Sequence, residues 1–323
     1  MRGGVRLGAV SHDRYTHLRN SAAYDPQKIN LIIGGQAGYA GRQQEIEQNS
    51  SNHDLIALAP YFGILDTWSS DEEIFYPLFA RAIEDVTTGR VKQSQDFIEA
   101  EGQGTSLSVY EINFHTTSGP APIDVRNDYL TGAAGALALP LYMLLYQRDL
   151  DMVDQCAFSS LQFAYRMQSG EHARLWGMLR DLVTGRKRPT WLGVELCNRA
   201  ILQQAVLTTH SGENPGWTQQ PLNGVQQATD VTYIQSFAFK DGPARSVILM
   251  NLSLTDTLPV RLDLPAAPQA SATWHRITPA SIHDDNEDAE NVTIETIQID
   301  DFRNGYTLDL PPHSIHVIVF SNQ

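Results

Sequence analysis

Four short apolar runs constrain the fold most. They are Ile29-Asn30-Leu31-Ile32-Ile33, Asp54 to Phe62, Leu107 to His115, and Val153 to Phe158. The first two are continuous rather than alternating, the pattern of strands buried on both faces of a parallel sheet. Helical spacing fills the intervals. Ser70 to Thr87 repeats Ile74, Leu78, Phe79, Ala82 and Val86, with Ser70 as a cap and Asp71, Glu72 and Glu73 in the first turn. Further helices are expected over Arg90 to Glu101, Asp128 to Leu150 (with a possible kink at Pro140) and Pro189 to Val206. Residues 1 to about 28 read as a connecting segment with at most one short helix. A polar loop of some twenty residues is expected after Gly34-Gly35-Gln36, and Pro60 is expected to end the second strand. The order up to about residue 205 is therefore βα repeated four times.

Beyond residue 205 the helical period stops. Tyr233–Phe239, Ser246–Asn251, Pro259–Leu264, Thr273–Ile277, Val292–Ile299, Tyr306–Leu310 and Ser314–Phe320 alternate as strands, with Asp-Gly, Asn-Gly and Pro-Pro at the turns. This is the texture of a β-sandwich. The expected division is an α/β domain over residues 1–205 and an all-β domain over 206–323. The acidic run His283-Asp284-Asp285-Asn286-Glu287-Asp288 lacks the glycine and spacing of a calcium loop and reads as a solvated surface loop.

Composition excludes more than it assigns. A net charge of −14 argues against a nucleic-acid or anionic-membrane surface. No apolar run reaches the roughly 18 residues of a membrane span. Met1-Arg2-Gly3-Gly4-Val5-Arg6 lacks the apolar core of a signal peptide, so the cytoplasm is the default expectation. The two cysteines, Cys156 and Cys197, read as buried thiols. No zinc-protease, serine-hydrolase or P-loop motif is present, and no metal or cofactor is expected.

The chemistry-bearing stretch is Val109-Tyr110-Glu111-Ile112-Asn113-Phe114-His115, followed by Thr116-Thr117-Ser118-Gly119-Pro120. A carboxylate inside a buried strand is costly unless paired or hydrogen-bonded. In barrels and doubly wound sheets the C-terminal strand ends carry the chemistry, which makes Glu111 a catalytic candidate. The alternative is a Glu satisfied by an arginine or by backbone amides. Tyr61, at the same edge of the second strand, falls beside it.

This arrangement resembles the C-terminal part of the retaining glycoside hydrolases of clan A. There a (β/α)8 barrel carries its nucleophile, a Glu, at the end of strand seven. The resemblance implies a partial barrel, with the four runs as strands five to eight, followed by the β-sandwich of α-L-arabinofuranosidases and β-xylosidases. Ser246 to Leu252 and Leu308 to Ile315 are similar to that sandwich. On this resemblance Glu111 is the nucleophile and Tyr61 its hydrogen-bonding aromatic. The sharp motif is Val109-Tyr110-Glu111. Strands one to four have no counterpart, nor has the Asn-Glu that supplies the acid/base, since Asn286-Glu287 lies in the acidic loop. Glu45, Glu47 and Asp66 are expected on loops at the correct end, solvated.

The implied function is a glycosidase acting on plant-type polysaccharide or oligosaccharide. His115, Asn113 and Gln162 would be sugar contacts and Trp68 a stacking platform, with Trp191 read as packing. Carbohydrate is then the expected partner. Because four parallel strands leave two open edges, a homodimer or a second chain completing the barrel is also expected. Two other classes stay open: a non-catalytic carbohydrate-binding or scaffold remnant, favoured by the missing acid, and an esterase built on Ser118 and His115.

Overall fold

The apolar runs pair as expected. Ile32–Gly34 pairs with Leu55–Leu58, that strand with Ser106–Phe114, and Ser106–Phe114 with Gln155–Ala157, each parallel. Val109 lies between Leu58 and Gln155, so the third strand has neighbours on both edges. Leu107, Ser108 and Val109 are all buried, as are Ile56, Ala57 and Leu58, so adjacent residues face protein on opposite sides of the sheet. Pro60 interrupts the second strand rather than ending it. Tyr61–Phe62 rejoin the sheet against Ser106–Phe114.

This computed structural model describes residues 3–114, 119–152, 154–167 and 170–323. The chain forms two compact units: residues 1–62, 82–113 and 145–158, and residues 63–81, 114–144 and 159–323.

In the first unit two expectations are corrected. The supposed connecting segment is a helix, Gly3–Arg19, and the supposed loop after Gly34 contains a second one, Gly41–Glu47. Gly4, Gly8 and Ser11 form the buried face of the first. Small residues at that spacing let two helices approach closely without giving an apolar period. A Cβ on Gly8 would lie 2.9 Å from the Ile46 carbonyl. The Gly4 N–H donates to Glu45 Oε2 at 3.1 Å. Gln43, fully buried, holds the Gln36 backbone on both sides and donates to Ser94 Oγ at 2.7 Å. Polarity in this stretch is internal hydrogen bonding, which a hydropathy reading takes for solvation. Glu45 and Glu47 are likewise buried on this helix rather than solvated on a loop.

Helix Asp71–Thr87 begins one residue after its expected cap; Glu73 N–H reaches Ser70 Oγ at 3.4 Å. The long helix expected from Asp128 is two, Ile123–Thr131 and Ala134–Leu150. At Gly132 the backbone turns extended and bridges to Asp285. Helix Pro189–Asn198 also ends early. Gln204–Val206 instead pairs with Ala238 to Lys240, an edge contact that overrides the local preference.

The all-β region is built from a six-stranded antiparallel sheet in the order Glu295–Ile299, Pro268–Ile277, Ser314–Asn322, Ala244–Asn251, Ile234–Asp241 and Gln204–Val206. Leu258–Leu262 pairs with Tyr306–Leu310 in a second, two-stranded sheet. Leu249, Ile318 and Phe320 from the first and Leu262, Leu308 and Leu310 from the second share one core with Phe302. Two further hairpins, Phe163–Arg166 with His172–Leu175 and Gly216–Gln219 with Ala228–Thr232, were not legible as strands.

The acidic loop is structural, not solvated. Arg188 is wholly buried and donates through Nε to Glu287 Oε1 at 2.6 Å and through Nη2 to Oε2 at 3.2 Å. Its Nη1 donates to the Gly177 carbonyl at 2.7 Å, and Nη2 also donates to Gln162 Oε1. Arg174 approaches Glu287 from a second direction at 3.0 Å. Burial pushes the Glu287 carboxyl up, but these guanidinium groups pull it below the usual carboxylate range. Removing one member of such a pair strands the other without a partner. Glu287→Gln is expected to cost about 3 kcal/mol of stability, read as a fall in the denaturant midpoint with an unchanged slope.

His283, from the same loop, lies between two carboxylates: Nδ1 is 2.6 Å from Asp128 Oδ2 and Nε2 is 2.9 Å from Asp71 Oδ1. The hydrogen bond with Asp128, and secondarily that with Asp71, outweighs burial and raises its pKa to about 9. A raised folded-state value means protonation favours the fold. The stabilisation is complete below the unfolded histidine value near 6.5 and is lost as pH rises through about 9. Melting temperature is expected to fall between those two pH values in the native protein and to flatten in His283→Gln.

Candidate active site

The Ser106–Phe114 strand changes character at its midpoint. From Leu107 to Val109 it is buried; Tyr110 is exposed, Glu111 is half-buried, and Ile112 to Phe114 are buried again. Glu111 lies between Val109 and Ile112, where the register with Gln155–Ala157 shifts. The strand interruption at Ala59-Pro60 brings Tyr61 back against the same strand. Its hydroxyl donates to Glu111 Oε2 at 2.7 Å. Among the described residues that hydroxyl is the donor to the carboxylate, and no arginine or lysine forms an ion pair with it.

Burial, the hydrogen bond to Glu111 and the carboxylate's charge all push the Tyr61 phenol far above its ordinary value. The Tyr61 phenol therefore stays protonated and donates across the neutral range. A hydroxyl orients one carboxylate oxygen without neutralising it as a guanidinium would.

The remaining sequence candidates fall in different settings. Asn113 is 1% exposed, and its Nδ2 donates to the Phe158 carbonyl, tying the third strand to the end of the fourth. Gln162 is half-buried with its Oε1 held by Arg188. Trp68 is half-buried on the loop before helix Asp71–Thr87. His115 and Ser118 lie outside the described residues. Asp66 is exposed; its backbone N–H is bound by Asn223 Oδ1 at 2.7 Å.

One constellation escaped the sequence reading. His53 has Ser50 Oγ 3.1 Å from Nδ1 and Glu47 Oε1 3.1 Å from Nε2. This is a serine–histidine–carboxylate set, but the His53 and Glu47 side chains are fully buried and Ser50 is 3% exposed. It cannot meet a substrate, and it braces the turn after helix Gly41–Glu47. The spacing Glu-x-x-Ser-x-x-His was visible in the sequence; its burial was not.

No protein-family model and no curated protein matches this chain. Solved structures do. The α-L-arabinofuranosidase of Thermotoga maritima, solved as an arabinose complex, superposes with a TM-score of 0.68 at 16% identity, over 99% of this chain and 62% of that one. The GH51 arabinofuranosidase of Xanthomonas axonopodis pv. citri gives 0.68 at 16% identity, over 99% and 63%. A family 51 α-L-arabinofuranosidase of Bifidobacterium longum gives 0.70 at 13% identity, again over 99% and 63%. The chain thus spans less than two thirds of the length of the structures it matches. Its fold, a parallel α/β sheet followed by antiparallel sheets, resembles that of the family 51 arabinofuranosidases of clan A over nearly its whole length.

Proposed function

We infer that this chain is a glycoside hydrolase-like protein acting on arabinose-containing oligosaccharides or polysaccharides of plant type. Its working division is a partial barrel over residues 1–205, comprising strands five to eight, and a sandwich over 206–323. The observation that carries this reading is the Tyr61 hydroxyl on Glu111 Oε2, within strand Ser106–Phe114, with no arginine or lysine paired to that carboxylate among the described residues.

In the proposed chemistry Glu111 attacks the anomeric carbon as the glycosidic bond breaks, giving a covalent glycosyl-enzyme. Water then releases the sugar with retention of configuration. Tyr61 holds Oε2 so that the free oxygen points at the sugar. A second carboxyl group about 5–5.5 Å away must protonate the leaving oxygen. No Asn-Glu in this sequence matches that role. We assign it to a partner segment that supplies strands one to four and completes the barrel; a second copy of this chain would repeat the same sequence and bring no such acid. Such a partner would also cover the open sheet edges. A chain without that acid would persist as a carbohydrate-binding scaffold.

The leaving group separates these cases. A 2,4-dinitrophenyl α-L-arabinofuranoside departs without protonation, so its first step needs the nucleophile alone. The native chain is expected to release dinitrophenol from it, and Glu111→Gln to reduce the rate roughly a thousandfold or more while melting as the native chain does. Tyr61→Phe is expected to cost about ten- to a hundredfold. Undiminished turnover in a folded Glu111→Gln variant would exclude Glu111. Sugar binding without any dinitrophenol release would favour the scaffold.

A further inference from the structure

The loop carrying Trp68 is held by a turn far away in sequence. Leu222 and Val225 exchange both backbone hydrogen bonds, at 3.1 and 2.9 Å, around Asn223 and Gly224. These two residues have φ of 47° and 85°. That is the two-residue turn for which Asn-Gly is the preferred sequence. The Asn223 amide, 8% exposed, uses its full hydrogen-bonding capacity on another segment. Its Oδ1 accepts from the backbone N–H of Asp66 at 2.7 Å and of Thr67 at 2.8 Å. Its Nδ2 donates to the carbonyls of Thr67 at 2.9 Å and Glu73 at 2.6 Å.

The last contact explains an oddity of helix Asp71–Thr87, which contains Pro77. Proline has no N–H, so the carbonyl four residues earlier, that of Glu73, loses its helical donor. Asn223 supplies the missing hydrogen bond. The neighbouring Gly224 carbonyl accepts from Arg81 Nη1, on the same helix, at 2.9 Å. Before Trp68 the loop is anchored by Leu65, which is 1% exposed; after it, Ser69 N–H donates to Glu73 Oε2 at 2.9 Å. Residues 66 and 67, which join these anchors, depend on Asn223.

We propose that the Asn223-Gly224 turn is a positioning element that fixes the Trp68 loop for stacking on a sugar ring. Pro77 creates the acceptor that locks it in place. The inference rests on the carbohydrate reading above and adds a residue from the C-terminal half to the binding apparatus. Asn223 touches no sugar. It acts through Trp68.

The test combines amide hydrogen exchange with titration calorimetry on the full chain, using α-1,5-linked arabinotriose as the probe. Asn223→Gly keeps the backbone conformation and removes the amide. Asn223→Asp keeps the acceptors and loses the donors. In Asn223→Gly the Asp66 and Thr67 amides are expected to exchange about a hundredfold faster, and arabinotriose to bind about tenfold more weakly. Asn223→Asp should fall between. Trp68→Ala should weaken binding similarly, and the double variant should be no weaker than Trp68→Ala alone, since both act through one ring. Unchanged exchange in Asn223→Gly overturns the proposal whatever the sugar does. So does faster exchange with native affinity, which would leave Asn223 a purely structural residue. Native exchange behaviour in a wild-type chain that binds no arabinotriose would instead bring down the carbohydrate reading, and the role assigned to Trp68 with it.

Discussion

A half-buried carboxylate in a sheet strand needs a hydrogen-bond donor. Tyr61 meets that need for Glu111 at 2.7 Å. Much of the first unit can be read as the means of bringing these two groups together. The parallel ladder fixes Val109, two residues before Glu111, from both edges, through Leu58 on one side and Gln155 on the other. The interruption at Ala59-Pro60 allows the second strand to return to the sheet at Tyr61. Burial and the carboxylate keep the phenol protonated. An arginine in the same place would have made an ion pair instead.

The second unit uses charge differently. Arg188 and Glu287 form a buried pair whose remaining hydrogen-bonding groups meet backbone carbonyls, a second arginine and Gln162. His283 joins helix Asp71–Thr87 and helix Ile123–Thr131 through their carboxylates. The two interactions have opposite pH signatures. The Glu287 carboxyl, held low, gives stability that is lost as pH falls through its depressed value. His283, held high, gives stability that is lost in alkali. Both sit on one short acidic segment, so its residues are conduits between elements rather than a polar rim.

The strand Leu55–Leu58 was legible because burial leaves a continuous apolar run, and Glu111 stood out as a charge in the middle of a largely apolar strand. The sandwich strands were legible from alternation. Three features were not. Glu287 looks like any surface acid until Arg188, 99 residues away, is folded against it. Helix Gly3–Arg19 buries glycines and a serine, which carry no hydropathy signal. The Trp68 loop is defined by an Asn-Gly turn some 150 residues later, whose local meaning as a turn was readable but whose partner was not. In each case the missing information is a long-range hydrogen bond, which periodicity and propensity do not encode.

The central claim is that Glu111 is the nucleophile, and covalent trapping tests it most directly. The native chain, incubated with 2,4-dinitrophenyl 2-deoxy-2-fluoro-α-L-arabinofuranoside, would be analysed by intact mass and then by peptide mapping. The account predicts one fluoropentosyl group per chain, attached as an ester to Glu111 and absent from Glu111→Gln. A label on any other carboxylate, or release of dinitrophenol with no label on the native chain, would contradict it.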